Sequence, residues 1–365
     1  MSCMDNGTSS LERTLINRAK EKSIPINGSL ELLPLCNMNC DMCYVRLSRE
    51  ELEKRGQLIP INKWLKIGQQ MKEAGVLFLL LTGGEPLLFP DFKRLYLELQ
   101  KMGFILTINS NGTLINKEWA DFFGKYPPRR INITLYGANE EDYKKLCHYP
   151  GGFKKTIRGI QLLREHGIDV KISFSVVKTV QQNMGKVFSI GEKLQVPVHI
   201  DPYMMPAVRE RDRPFSEQIR VLPEDAAAAS LEALKLQFPR EIYNQYVKQT
   251  IARLENPNFP RGDGHISCLA GNCSFTINWQ GQMRPCVILS EPSFSVFEKG
   301  FDAAWKKITA ITQNLMISKK CTECKYKPIC KVCVAASLLE TGAYDGIPEY
   351  LCRYAKEYAR LLKMQ

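Results

Sequence analysis

The chain has 365 residues, a formal net charge of +12 and 44% apolar residues, a composition typical of a folded globular protein and not of a disordered one. Its longest clear apolar run, residues 76–81, is too short to span a membrane, and residues 1–23 lack the apolar stretch of a signal peptide. We therefore expect a cytoplasmic protein without a membrane segment, whose 13 cysteines stay reduced.

Short apolar runs alternate with amphipathic stretches from residue 29 onwards. The runs predict six strands, over residues 29–35, 76–82, 104–110, 131–137, 169–177 and 196–202. The stretches between them predict helices over residues 61–74, 91–101, 116–123, 153–165 and 184–194. Gly75, Gly103 and Gly167 stand just past three of these helices, where a left-handed residue ends a helix. The alternation predicts an α/β fold with a parallel sheet, either open or curled into a partial barrel.

The character of the sequence changes after residue 205. A charged and then Ala-rich stretch follows, in which Pro223 predicts a helix start, and a Pro/Gly-rich linker precedes a region dense in cysteine. The expected units are listed here in chain order: an N-terminal extension 1–28, an α/β domain 29–205, a helical linker 206–261, a cysteine-rich domain 262–353 and a C-terminal helix 354–365.

Three cysteines with the spacing C-x3-C-x2-C directly follow the first predicted strand: Cys36, Cys40 and Cys43. Three thiols are an odd number for disulfides and one short of a tetrahedral metal site. A [4Fe-4S] cluster has four irons, so three thiolates leave one iron open to a small chelating molecule. "TGGEP" follows the second strand and "NSNGT" the third. Because parallel strands end at a common edge, the three segments are expected to lie together.

This combination of motifs resembles the radical S-adenosylmethionine (SAM) superfamily. The resemblance implies a partial (β/α)6 TIM-like barrel over residues 29–205, in which the three cysteines hold a [4Fe-4S] cluster and the amino and carboxylate groups of SAM bind its open iron. One electron then breaks the C5′–S bond, and a 5′-deoxyadenosyl radical abstracts hydrogen from the substrate. Gly83 and Gly84 are expected to let the backbone approach SAM closely, and Glu85 to accept a hydrogen bond from the SAM ammonium.

Four further residues are candidates for SAM contacts by the same resemblance. Met42 and Tyr44 flank the third cysteine, close to where the family usually carries an aromatic residue for the adenine. Ser110 and Thr134 stand at strand ends, where relatives contact the SAM hydroxyls or carboxylate, and simple capping of the strand end is the alternative.

Eight more cysteines lie in the C-terminal third. Their order resembles the SPASM extension of radical SAM enzymes, which carries two auxiliary [4Fe-4S] clusters and would bring the total to three. The resemblance implies one cluster on Cys268, Cys273, Cys286 and Cys333, and another on Cys321, Cys324, Cys330 and Cys352. The gap between Cys330 and Cys333 is two residues where the family usually has three. Zinc is the alternative, because C-x2-C pairs also build zinc ribbons.

Enzymes with this extension are similar in acting mainly on peptides and proteins, so we expect crosslinking, oxidation or epimerisation of a peptide or protein. Val287 stands where sulfatase maturases carry an Asp base, which disfavours formylglycine formation. The resemblance also implies an electron donor of the flavodoxin or ferredoxin type. Two alternatives stay open: the same chemistry on a small molecule or tetrapyrrole, and a non-catalytic zinc or iron–sulfur protein. No basic block with interleaved aromatic residues suggests a nucleic-acid partner.

Overall fold

The computed structural model describes residues 10–205, 219–260 and 262–365. The first nine residues of the expected N-terminal extension, residues 206–218 of the expected linker, and residue 261 lie outside the described residues. Within the described residues, nine strands form one sheet in the order β6-β5-β4-β3-β2-β1-β7-β8-β9. The strands from β1 to β7 pair in parallel, and β8 and β9 add an antiparallel edge. The predicted α/β class and parallel arrangement are therefore confirmed.

The strands are β1 Asn27–Glu31, β2 Phe78–Thr82, β3 Ile105–Ser110, β4 Arg130–Thr134, β5 Val170–Ser175, β6 Val198–Asp201, β7 Ser274–Ile277, β8 Gln282–Arg284 and β9 Phe294–Ser295. The helices are α1 Ser10–Glu21, α2 Arg49–Arg55, α3 Ile61–Glu73, α4 Phe92–Lys101, α5 Lys117–Lys125, α6 Glu140–Cys147, α7 Gly152–Glu165, α8 Met184–Leu194, α9 Pro223–Gln237, α10 Arg240–Glu255, α11 Phe301–Thr312, α12 Lys319–Thr322, α13 Val334–Thr341 and α14 Glu349–Leu362. Every predicted strand and helix from 29 to 205 is present, while α2 and α6 within that range were not predicted.

Local backbone chemistry explains where several of these helices end. Gly75, Gly103 and Gly167 have φ angles of 91°, 97° and 73°. Each turns the chain out of a helix and into the next strand in a conformation that costs glycine little, as the sequence predicted. Pro223 is the first residue of α9, where its missing N–H is not needed.

The barrel strands divide their side chains between two environments. Residues of β4 alternate along the strand: Ile131 and Ile133 are fully buried against the outer helices, while Asn132 and Thr134 face the barrel interior. The same alternation in β5 directs Ser173 and Ser175 inward. Near the carboxyl ends of β4 and β5, the interior wall is therefore lined by small, polar, uncharged side chains, while Arg130 and Lys171 occupy the same face nearer the amino ends.

The first strand differs from the prediction in its limits. β1 ends at Glu31, whereas residues 29–35 were predicted as one strand. The following segment still pairs with the loop after β2, because the carbonyls of Leu33 and Leu35 accept from the N–H groups of Gly84 and Glu85 at 2.8 and 2.9 Å. Pro34 interrupts the regular ladder without ending the contact.

The C-terminal region is built onto the same sheet as the barrel. β7 pairs with β1 along four residues, and the N–H of Asn27 donates to the carbonyl of Cys273 at 3.1 Å. The final helix, α14, begins before residue 354 and packs on α9, where the hydroxyls of Ser230 and Tyr354 lie 2.7 Å apart. None of the described helices is long and apolar enough to cross a membrane.

Candidate active site

The three-cysteine loop lies at the carboxyl end of β1 and is held by the end of α6. The N–H groups of Asn39 and Asp41 donate to the carbonyls of Cys147 and Leu146, both at 3.0 Å. These bonds flank Cys40 on both sides. The loop is therefore fixed by α6, the helix that follows β4. No local sequence pattern predicts this contact.

Within this loop, the Cys36 thiol lies within electrostatic reach of Cys40 and Cys43. Burial and the nearby carboxylate of Glu85 raise the pKa of Cys36 to about 12. A hydrogen bond with Cys147, together with burial, raises the pKa of Cys40 well above its usual range. Backbone N–H groups already point at two of the sulfurs: Met38 N lies 3.4 Å from Cys36 Sγ, and Arg46 N lies 3.3 Å from Cys43 Sγ.

These features fit an iron–sulfur centre. Twelve cysteines are described and none forms a disulfide. A buried thiolate beside a carboxylate is costly without positive charge, which a bound iron centre provides, and backbone N–H donors stabilise cluster thiolates. Within the described part of the chain, no three His, Cys, Asp or Glu side chains form a group that could hold a single metal ion. A cubane cluster differs in this respect, because each of its thiolates binds a separate iron.

The two glycines of the "TGGEP" segment are required by the chain itself. A Cβ on Gly83 would lie 2.4 Å from Leu33 O, and a Cβ on Gly84 would lie 2.2 Å from Leu35 O. Gly83 also has a φ of 135°, a conformation that other residues rarely adopt. The sequence predicted close approach to SAM at these positions, and the structure shows close approach to the segment that leads into Cys36.

Glu85 is a fully buried carboxylate at the centre of the site. It accepts hydrogen bonds from the N–H of Leu87 at 3.2 Å, the hydroxyl of Ser110 at 2.9 Å and the N–H of Asn111 at 2.8 Å. Burial raises the pKa of Glu85 to about 7, although these three hydrogen bonds oppose the shift. Glu85 thus ties the loop after β2 to the loop after β3, beside the cysteines.

The other predicted SAM contacts lie around this centre. The Ser110 side chain is buried. Its hydroxyl donates to the Glu85 carboxylate and accepts from the N–H of Gly112, which is consistent with the alternative role of capping the strand end. Thr134 ends β4 on the inward face. Met42 is buried in the main core, and Tyr44 is half-buried. Their roles toward SAM stay predictions.

The eight C-terminal cysteines form two groups in space. The first group brings Cys268 within electrostatic reach of Cys273, Cys286 and Cys333. Burial raises the pKa of Cys273 and Cys286 to about 11. Cys286 Sγ accepts from Leu289 N at 3.2 Å, and Cys333 Sγ from Ala336 N at 3.5 Å. Cys268 and Cys333, which are 65 positions apart in the sequence, thus belong to one group near β7.

The second group consists of Cys321, Cys324, Cys330 and Cys352. Cys321 lies within electrostatic reach of Cys352 and Cys324, and Cys330 of Cys352 and Cys321. Burial raises the pKa of Cys330 to about 11. Cys352 reaches this group because α14 begins at Glu349 and places it in its first turn. The thiols of each set that the resemblance implied therefore lie near one another, and the clusters they would hold stay predictions.

Two residues of the site were not predicted to have the contacts they make. Cys147 is fully buried, and its thiol forms a hydrogen bond with Cys40. The position of the "NSNGT" segment after the third strand predicted that Asn111 lies at the carboxyl edge of the sheet. Nothing in the sequence, however, shows that its side-chain nitrogen lies 3.6 Å from Cys36 Sγ. Both contacts depend on how separate loops meet.

Comparison with known proteins identifies the domain that carries this site. Residues 30–182 match the family model described as the radical SAM superfamily. The chain is 24% identical over 325 residues to an AdoMet-dependent heme synthase of Methanosarcina barkeri, covering 86% of this chain and 92% of that protein. It is 25% identical over 328 residues to a cysteine-type anaerobic sulfatase-maturating enzyme of Clostridium novyi, covering 81% and 84%.

The fold also matches a solved structure. Streptococcus suis SuiB bound to the precursor peptide SuiA superposes with a TM-score of 0.64 at 16% identity, covering 96% of this chain and 84% of that one. Domains of this superfamily use SAM and a [4Fe-4S] cluster. Residues 30–182 form a radical SAM domain, and the chain as a whole is similar to enzymes over most of its length.

Proposed function

We propose that this enzyme cleaves SAM reductively and uses the 5′-deoxyadenosyl radical to abstract a hydrogen atom from a peptide or protein substrate. Cys36, Cys40 and Cys43 would hold the [4Fe-4S] cluster. When bound and reduced, that cluster supplies the electron that breaks the C5′–S bond of SAM and releases methionine. Glu85 would orient SAM by accepting from its ammonium group, while its bonds to Ser110 and Asn111 hold the carboxylate in place.

One observation favours a peptide over a tetrapyrrole. Asn132 faces the barrel interior and donates to Asn109 Oδ1 at 2.8 Å, while its own Oδ1 is buried and has no partner among the described residues. A buried carbonyl oxygen without a donor is costly, so an N–H or O–H group from a bound molecule would stabilise this position. Peptide N–H groups supply such donors. The carboxylates of an iron tetrapyrrole are acceptors and do not.

A second candidate function rests on the comparisons. The similarity to an AdoMet-dependent heme synthase covers 86% of this chain, so the same radical chemistry on a tetrapyrrole is the alternative. An anaerobic assay with SAM and dithionite separates the two. We expect deuterium to move from a deuterated candidate peptide into 5′-deoxyadenosine, as measured by mass spectrometry. Transfer from a deuterated iron porphyrin, and none from any peptide, would reverse the assignment.

We further propose that the two C-terminal cysteine groups hold two auxiliary [4Fe-4S] clusters, as the resemblance implied. The spatial grouping of their thiols supports two sites of four thiolates each. The expected content is about twelve iron atoms and twelve sulfides per chain, from four of each in every cluster. Such a protein requires a reducing compartment, which is consistent with the cytoplasm.

The electron would come from a flavodoxin- or ferredoxin-type carrier with an acidic surface. Residues 319–331 contain five lysines and one acidic residue beside the second cysteine group, and four of the lysines are exposed. A basic surface attracts an acidic carrier and speeds its association, most strongly at low salt.

Charge reversal tests this docking surface. The test variant changes the four exposed lysines to Glu: Lys319, Lys320, Lys325 and Lys331. The control variant changes four exposed lysines on the outer helices α3 and α8: Lys66, Lys72, Lys186 and Lys193. We expect carrier-driven SAM cleavage to fall about tenfold at low salt in the test variant only. Dithionite-driven cleavage should be equal in all three proteins, and an unaffected carrier-driven rate would place docking elsewhere.

A further inference from the structure

Asn111 is held rigidly at the point where the loop after β3 meets the three-cysteine loop. Only 3% of its surface is exposed. Its backbone N–H donates to Glu85 Oε2 at 2.8 Å, and its carbonyl accepts from the hydroxyl of Thr156 at 3.1 Å. Both main-chain groups are therefore satisfied by residues from other segments.

The side-chain amide of Asn111 has a defined orientation. Its Oδ1 accepts from the N–H of Thr113 at 2.9 Å and from the hydroxyl of Thr113 at 2.6 Å. Because a backbone N–H can only donate, the oxygen must face Thr113, and the nitrogen must face the opposite way. There Nδ2 lies 2.9 Å from Asn37 Oδ1 and 3.6 Å from Cys36 Sγ. Asn37 is fixed in turn, since its own Nδ2 donates to Thr113 Oγ1 at 2.8 Å.

We propose that Asn111 is a positioning residue that tunes the SAM-binding cluster by donating an N–H···S hydrogen bond to Cys36. This proposal rests on the proposed function, because it requires a [4Fe-4S] cluster on that cysteine. A hydrogen bond to a ligand sulfur stabilises the reduced, more negative state of a cluster and raises its reduction potential. Asn111 thus makes the cluster easier to reduce without touching the reacting atoms.

Two substitutions of Asn111 make graded predictions. Asn111→Leu removes the donor and keeps a similar volume. Asn111→Asp keeps the oxygen that faces Thr113 but places a second, negatively charged oxygen 3.6 Å from Cys36 Sγ. We expect the reduction potential to fall in the order wild type, Leu variant, Asp variant. For the Asp variant we expect about a tenfold smaller ratio of reduced to oxidised cluster at a fixed potential, equivalent to ~59 mV for one electron.

The measurement is an anaerobic redox titration followed by electron paramagnetic resonance. The SAM-binding cluster is identified as the signal whose shape changes when SAM is added. Asn183→Leu is the matched control, because that buried asparagine donates to Asp142 and not to a cysteine, and its potential should equal that of the wild type.

Thr113→Val provides a second route if the Asn111 variants fail to assemble the cluster. It removes one of the two donors that orient the amide and should lower the potential by less than Asn111→Leu does. Equal potentials in the wild type and in every assembled variant of Asn111 and Thr113 would overturn the inference. If no electron paramagnetic resonance signal of the wild-type protein changed when SAM was added, the proposed function would be overturned instead. The two failures are therefore distinguishable.

Discussion

Gly84→Ala tests whether the glycine segment positions the cysteine loop. The added Cβ would lie 2.2 Å from Leu35 O and 2.6 Å from Leu35 C, where ordinary contacts begin at 3.4 Å. The two segments must therefore separate by 1.2 Å, the difference between 3.4 and 2.2 Å. Neither partner is a flexible side chain that can turn away, because Leu35 presents backbone atoms immediately before Cys36.

The energetic consequence follows from that separation. Forcing an extra group into a packed site costs about 1–3 kcal/mol. The same movement stretches two hydrogen bonds between the segments, Gly84 N to Leu33 O at 2.8 Å and Glu85 N to Leu35 O at 2.9 Å. At about 1 kcal/mol for each bond, the variant should lose about 3–5 kcal/mol of unfolding free energy and bind SAM weakly.

Gly185→Ala is the matched control for this change. Gly185 lies in the first turn of α8, and a Cβ there would meet no atom within 4 Å. The control should be neutral or more stable by up to ~1 kcal/mol, because Ala favours helices over Gly. Urea unfolding under anaerobic conditions and SAM binding by calorimetry measure both effects. If Gly84→Ala matched the control in stability and in SAM affinity, the steric argument would be wrong.

Three further outcomes are expected. Asn132→Leu should raise the KM for a peptide substrate about tenfold or more, by removing a buried acceptor, and leave SAM cleavage without substrate unchanged; an unchanged KM would exclude this contact. Cys324→Ser should lower the iron content by about four atoms per chain, and a loss of one zinc instead would restore the zinc alternative. In the SAM-free protein, the raised pKa of Glu85, about 7, means that the folded state holds this proton more tightly than the unfolded chain. Stability should therefore fall as pH rises from about 4.5 to about 7, by up to ~3 kcal/mol, and Glu85→Gln should flatten this dependence in urea unfolding.

The sequence alone determined the order of elements and the identity of the motifs. Alternating patterns are local, so the six strands and five of the helices from 29 to 205 follow from spacing. Gly75 and Gly103 likewise end their helices for a local reason. The three-cysteine loop and "TGGEP" follow consecutive parallel strands, and such strands end at one edge. Their meeting was therefore predictable without any tertiary contact.

The tertiary structure decided the contacts between segments distant in sequence. Only the fold shows that β7 extends the sheet beside β1, that α6 holds the cysteine loop through Cys147, and that the Asn111 amide points at Cys36. It also added a reason for Gly84 beside the predicted room for SAM, namely room for the backbone of Leu35. Such contacts have no local signal, because they depend on angles and separations set by the packing of the whole sheet.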